Sequence, residues 1–254
     1  MNDLVKSIAE KGLSNSIYDF FGFLGIIAAV LFSIWYGKKL GLKVWKTLMI
    51  DTVVLTVTFL SIHIIIFDCL DFLIEHTSLS TIFITSIIRT LLLIPMIGFW
   101  MSKVLKVKWA VVCDVLAVIP LLIGGIGCLG CVFTGCCRGY PCEWGIYNQM
   151  IQETVFPIQL VNAFIILFIF VYLFMRVKRQ NYASDGLSYP IMLVLFGFSR
   201  FITEFFCDNK KIFFGLSVLA IHCIKDFIVG MIAYVMIRHK SRRRPKNLSY
   251  MKKR

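Results

Sequence analysis

Seven separate runs of mainly apolar residues, each close to the length that crosses a bilayer, constrain this chain more than any other feature of its sequence. They lie near Phe20–Tyr36, Leu48–Phe67, Ile82–Met101, Trp109–Ile126, Phe156–Met175, Leu187–Phe206 and Phe213–Ile237. A helix needs about 20 apolar residues to span the hydrocarbon core. Backbone in lipid must satisfy its own hydrogen bonds, so helix is the conformation that such runs dictate. Of the 254 residues, 59% are hydrophobic and only 16% are charged. A soluble domain of this size has no core large enough to hide so much apolar surface. The expected fold is therefore an all-α polytopic membrane protein of about seven transmembrane helices.

The basic excess, 27 Lys and Arg against 14 Asp and Glu, would point to nucleic acid in a soluble protein. Here its placement gives another meaning. Lys38, Lys39, Lys43 and Lys46 follow the first run, Lys103, Lys106 and Lys108 the third, and Arg176, Lys178 and Arg179 the fifth. Nine more basic residues fall between Arg238 and Arg254. The intervening loops carry acids: Asp68, Asp71 and Glu75, then Glu143 and Glu153. Basic loops stay in the cytoplasm. The N-terminus is then expected outside, the C-terminus cytoplasmic, and the number of spans odd. Residues 1–239 read as a single seven-helix transmembrane domain. Residues 240–254 read as a basic cytoplasmic tail resting on anionic headgroups, with no nucleic-acid partner. Met1–Asp19 is polar and mixed in charge, unlike a cleavable signal.

Five of the nine cysteines crowd into Gly124–Cys142, interleaved with Gly127, Gly130, Gly135 and Gly139, after the fourth run and toward the outer face. Three readings of this segment stand side by side. Cys128-x-x-Cys131 has the spacing of half a zinc site, but no second pair and no nearby His completes it. Thiols at an oxidising face could exchange disulfides, as in a membrane thiol oxidoreductase, or form plain disulfides, or simply pack. The glycines could bring backbone N–H groups to a lipid phosphate, or let helices pack closely. No metal and no cofactor is expected.

Three motifs in order, with a further stretch after the first helix, carry a resemblance. Gly130-Cys131-x-x-x-Gly135-Cys136-Cys137-x-Gly139 resembles the signature segment of the bacterial prolipoprotein diacylglyceryl transferase family in its cysteine-rich variant. Phe156-Pro157-Ile158-Gln159-Leu160 is similar to the family's His-Pro-x-Gln-Leu. Phe196-Gly197-x-x-Arg200-x-x-x-Glu204-Phe205 is similar to its Tyr-Gly-x-x-Arg-x-x-x-Glu-Phe block. Tyr36-Gly37-Lys38-Lys39-Leu40-Gly41-Leu42, after the first helix, is also typical. The resemblance runs from about Phe21 to His239.

The resemblance implies an enzyme of lipoprotein biosynthesis in the bacterial plasma membrane, multi-pass and with its active site toward the outer leaflet. It would move diacylglyceryl from phosphatidylglycerol to a cysteine thiol in the signal-peptide region of a preprolipoprotein. A monomer is expected. Arg200 and Glu204 match the family residue by residue, one helical turn apart, so the pair shares a face. An Arg inside an apolar span is functional by default and suits phosphate. Arg200, Glu204 and Arg89 are the catalytic candidates. Gly130, Cys131, Gly135, Cys136, Cys137, Arg138, Gly139 and Gln159 are the lipid-binding candidates.

The chain also departs from the family. Cys128 stands at the family's Arg, Cys131 at its Asn and Cys136 at its Glu, although cysteine is common at Cys131, Cys136 and Cys137 in that variant. Phe156 stands at its His, and Phe21 and Phe196 at its tyrosines. A family His-Gly-Gly falls near Ile88 and is missing, with Arg89 beside the place. A non-catalytic lipid-binding paralogue is therefore an alternative. His63 and His76 read as polar anchors, and Lys225 and Asp226, beside His222, as a structural pair.

Overall fold

The computed structural model describes residues 2–63, 94–136, 138–208 and 215–242. Arg89, Cys137 and His76 lie outside these residues, as do much of the third apolar run and the tail from residue 243. Among the described residues there are eight helices. They are α1 (Asn2–Glu10), α2 (Ser14–Lys39), α3 (Val44–His63), α4 (94–104), α5 (Trp109–Thr134), α6 (Ile158–Arg179), α7 (Ser188–Glu204) and α8 (Val218–Arg242). Four of these contain stretches long and apolar enough to cross a membrane: Ser14–Lys39, Trp109–Thr134, Ile158–Arg179 and Leu219–Lys240. The chain is thus a mostly helical membrane protein.

Helix α5 is the centre of the bundle and packs against α2, α6 and α7. From Val112 to Ile119 every one of its residues is buried. Asp114 apart, this stretch is apolar on all sides, as a helix in such a place should be. Its Leu116 and Leu121 share a core with Tyr36, Ile50, Met192 and Leu193 from the helices around it. Small residues bring helices close. Gly25 of α2 sits against the Ile123 backbone of α5, and Gly125 of α5 against Leu167 of α6. Helices α7 and α8 form a second tight pair. A Cβ on Gly197 would stand 2.7 Å from the Cys223 carbonyl oxygen, and one on Gly230 2.9 Å from the Val194 nitrogen.

Two differences from the sequence reading concern the outer segment. First, α5 does not stop near Ile126. It continues to Thr134, so Gly127, Cys128, Gly130 and Cys131 are helical. Their N–H groups serve the helix, so no backbone cradle forms there. The apolar composition of Leu129, Val132 and Phe133 lets the helix run on, and Gly135 ends it. Gly135 takes the left-handed conformation (φ 69°) and returns its N–H to the Cys131 carbonyl, the usual glycine stop.

Second, the segment beyond is a β-hairpin, which adds a small sheet to a fold expected to be all helix. Strand β1 (Pro141–Asn148) pairs antiparallel with β2 (Glu153–Val155), with Ile146 opposite Val155 and Asn148 opposite Glu153. Helix α1, at a stretch read only as polar, is amphipathic and covers the hairpin. Val5 is buried with Val132 and Ile146. The Asn2 side-chain amide donates to the Gly145 carbonyl and accepts from the Tyr147 N–H.

Candidate functional site

The site is assembled where the end of α7, the start of α8 and the signature segment converge. After Gly135 the chain turns back and runs alongside residues 206–208. Gly139 bridges Cys207, the Asp208 N–H donates to the Arg138 carbonyl at 2.8 Å, and the Tyr140 N–H donates to the Phe206 carbonyl at 3.3 Å. On its other side Tyr140 accepts from the Phe156 N–H at 2.9 Å. The signature segment is thus laced between the end of α7 and the entry to α6. Gly139 cannot be replaced within this lacing, since a Cβ would overlap the Phe156 carbonyl oxygen. Buried Asn148 holds the helix end to the hairpin. Its amide donates to the Gly135 carbonyl at 3.0 Å, and its oxygen accepts from the Met150 N–H at 2.9 Å.

Arg200 and Glu204 lie on α7 one turn apart, each only 7% exposed. Arg200 is within electrostatic reach of Cys128 from α5, Cys207 just beyond α7 and Cys223 from α8. Glu204 closes α7 and accepts a hydrogen bond of 2.6 Å from the Ser217 hydroxyl. Glu204, Cys207, Gly215 and Ser217 line a small open cleft. A buried guanidinium one turn from a buried carboxylate that lines a cleft can bind an anion and move a proton in a place of low dielectric.

The other candidates fall in different places. Gly130 is where α2 approaches α5: a Cβ there would stand 3.0 Å from Phe21 and 3.2 Å from the Tyr18 backbone. Cys131 is buried, Cys136 half-buried, and the Arg138 side chain exposed. Cys136 lies within electrostatic reach of Cys128, which places it on the Arg200 side of the segment. Gln159 is 4% exposed in the first turn of α6. Arg89 and Cys137 lie outside the described residues. Lys225 contacts both Asp226 (3.5 Å) and His222 (3.2 Å) on α8.

At the family's polar positions, rings pack on rings. Phe156 stacks on Phe206 at 5.5 Å and meets Trp144 edge-on, while Phe21 stacks on Phe133 at 6.0 Å. Among the described residues Cys113, Cys128, Cys142, Cys207 and Cys223 are free thiols. Among the described residues no group of three or more His, Cys, Asp or Glu is arranged to hold a metal. Sequence reasoning missed Cys207, Cys223 and Ser217. Ser217 stands inside the apolar run that starts at Phe213, so the sequence does not mark it as a helix start.

The family model described as prolipoprotein diacylglyceryl transferase matches residues 8–236. No curated protein matches the chain.

Proposed function

Because the chain belongs to the prolipoprotein diacylglyceryl transferase family, we propose that it transfers the diacylglyceryl group of phosphatidylglycerol to the thiol of a lipobox cysteine. The thiolate sulfur attacks the glycerol carbon that carries the phosphate ester. The carbon–oxygen bond to phosphate breaks, a thioether forms, and glycerol phosphate leaves with the electron pair. Such a reaction needs a cation for the leaving phosphate and an acceptor for the thiol proton, because the thiolate is the nucleophile. Arg200 supplies the cation, through a planar fork that matches two phosphate oxygens. Glu204 takes the proton. Arg89 is the candidate for a second cation. Gly135, Cys136, Arg138, Gly139 and Gln159 form the wall toward the lipid, with Gly130 and Cys131 on the helix behind it.

The observation that carries this reading is the buried Arg200–Glu204 turn of α7, laced through Gly139 and Cys207 to the signature segment. Seven spans, an outer N-terminus and a cytoplasmic tail complete the proposed arrangement. They set the site toward the outer leaflet of a bacterial plasma membrane, where a monomer would meet both membrane-borne substrates. The test is transfer of labelled diacylglyceryl from phosphatidylglycerol vesicles to a lipobox peptide. Arg200→Ala should lower the rate by about a hundredfold or more, the scale of losing one charge-stabilising group in a buried site.

A second reading, a lipid-binding member without turnover, is favoured by Cys128 at the family's Arg and by the Phe156–Phe206 stack at its His. Phosphatidylglycerol that co-purifies with the wild-type chain and is lost on Arg200→Ala, with no transfer by either, would select it.

A further inference from the structure

We infer that Ser217 is a positioning residue for Glu204, an inference that rests on the proposed part of Glu204 in the reaction. The Ser217 hydroxyl lies between two groups. It accepts from the Ala220 N–H at 3.1 Å and donates to Glu204 Oε1 at 2.6 Å. A hydroxyl has one proton, and its direction is normally free. Here the backbone N–H occupies the acceptor side, so the proton is aimed at the carboxylate.

The acceptor bond is the N-cap of α8, from Ser217 to the third residue of the helix, the geometry that favours serine at this position. The same geometry places the positive end of a 25-residue helix behind the hydroxyl. Glu204 is thereby held by a donor that is itself held by a helix. The tight approach of α7 and α8 at Gly197 and Gly230 fixes that helix against the one bearing Glu204. Both residues line the cleft and both are 7% exposed, so the contact is shielded from competing water. Ser217 keeps the carboxylate pointed, and a proton acceptor acts only from within reach of the proton it takes.

Capping and positioning separate by substitution. Glycine caps almost as well as serine but has no hydroxyl, whereas threonine keeps both roles. The experiment measures kcat, KM for phosphatidylglycerol and thermal unfolding in detergent for Ser217→Gly, Ser217→Thr, Glu204→Gln and the double variant Glu204→Gln/Ser217→Gly. Ser217→Gly should unfold close to the wild-type temperature with kcat lower by about tenfold or more, the worth of one hydrogen bond to a charged group. Its KM should be unchanged. Ser217→Thr should restore kcat, and the double variant should be no slower than Glu204→Gln alone, because Ser217 acts through Glu204. A wild-type kcat in Ser217→Gly would overturn the inference, and so would losses that multiply in the double variant. If Glu204→Gln itself turns over at the wild-type rate, the assignment of Glu204 in the transferase reading fails, and the Ser217 inference falls with it.

Discussion

Arg200 is one guanidinium in an apolar helix, and a charge there is kept only for what it binds or pairs with. Its planar fork matters as much as its charge, so Arg200→Lys should not rescue Arg200→Ala. A lysine keeps the charge but not the two-pronged grip, and transfer from phosphatidylglycerol should fall by about tenfold or more. Steady-state rates with the lipobox peptide check this. Burial pushes the neighbouring Cys207 thiol up to about 12, with the Glu204 carboxylate adding to the shift. A raised value keeps the thiol protonated at neutral pH, and only the thiolate reacts quickly. Cys207 should therefore resist maleimide in the folded protein while half-buried Cys142 reacts, and both should label in denaturant. Peptide mass spectrometry before and after unfolding reads the difference. Equal labelling in the folded state would mean that the end of α7 is open to solvent.

The elements show where the sequence was legible. Runs of apolar residues set the helices, because burial in lipid or against other helices leaves few alternatives. The end of α5 was not legible: Gly127, Gly130 and Gly135 look alike in the sequence, yet only Gly135 stops the helix. Local composition does not distinguish a glycine that ends a helix from one that packs it. That depends on Asn148, thirteen residues away, whose amide holds the Gly135 carbonyl. The short hairpin was hidden for a similar reason, since its pairing depends on α1 and on Phe156 as much as on its own residues. The Arg200–Glu204 pair was readable through the family resemblance together with its one-turn spacing, but the contact with Ser217 was not, because the apolar run from Phe213 gives no hint that the helix begins at Val218. Two outcomes follow at this scale. Asn148→Ala leaves the Gly135 carbonyl and the Met150 N–H without their partner, which should cost about 1–3 kcal/mol of stability. Gly139→Ala forces the signature segment away from Phe156 and should cost about 1–3 kcal/mol through strain. Thermal unfolding in detergent checks both, and Gly139→Ala should also reduce transfer more than its stability loss explains.

At the scale of the whole molecule, the topology decides which leaflet the reaction can serve. In the proposed topology Lys38–Lys46, Lys103–Lys108 and Arg176–Arg179 lie in the cytoplasm. An impermeant maleimide added to intact cells should then label Cys142 and leave a Lys106→Cys variant unlabelled. The converse pattern would invert the protein and place the Arg200 site at the wrong leaflet. The central claim is the transfer itself. The measurement that tests it most directly is mass spectrometry of a lipobox peptide incubated with the purified protein and phosphatidylglycerol vesicles, beside Arg200→Ala. The account predicts a thioether-linked diacylglyceryl peptide and one glycerol phosphate released per peptide modified, both lost in Arg200→Ala. An unmodified peptide with the wild-type protein, or equal product with Arg200→Ala, would contradict it.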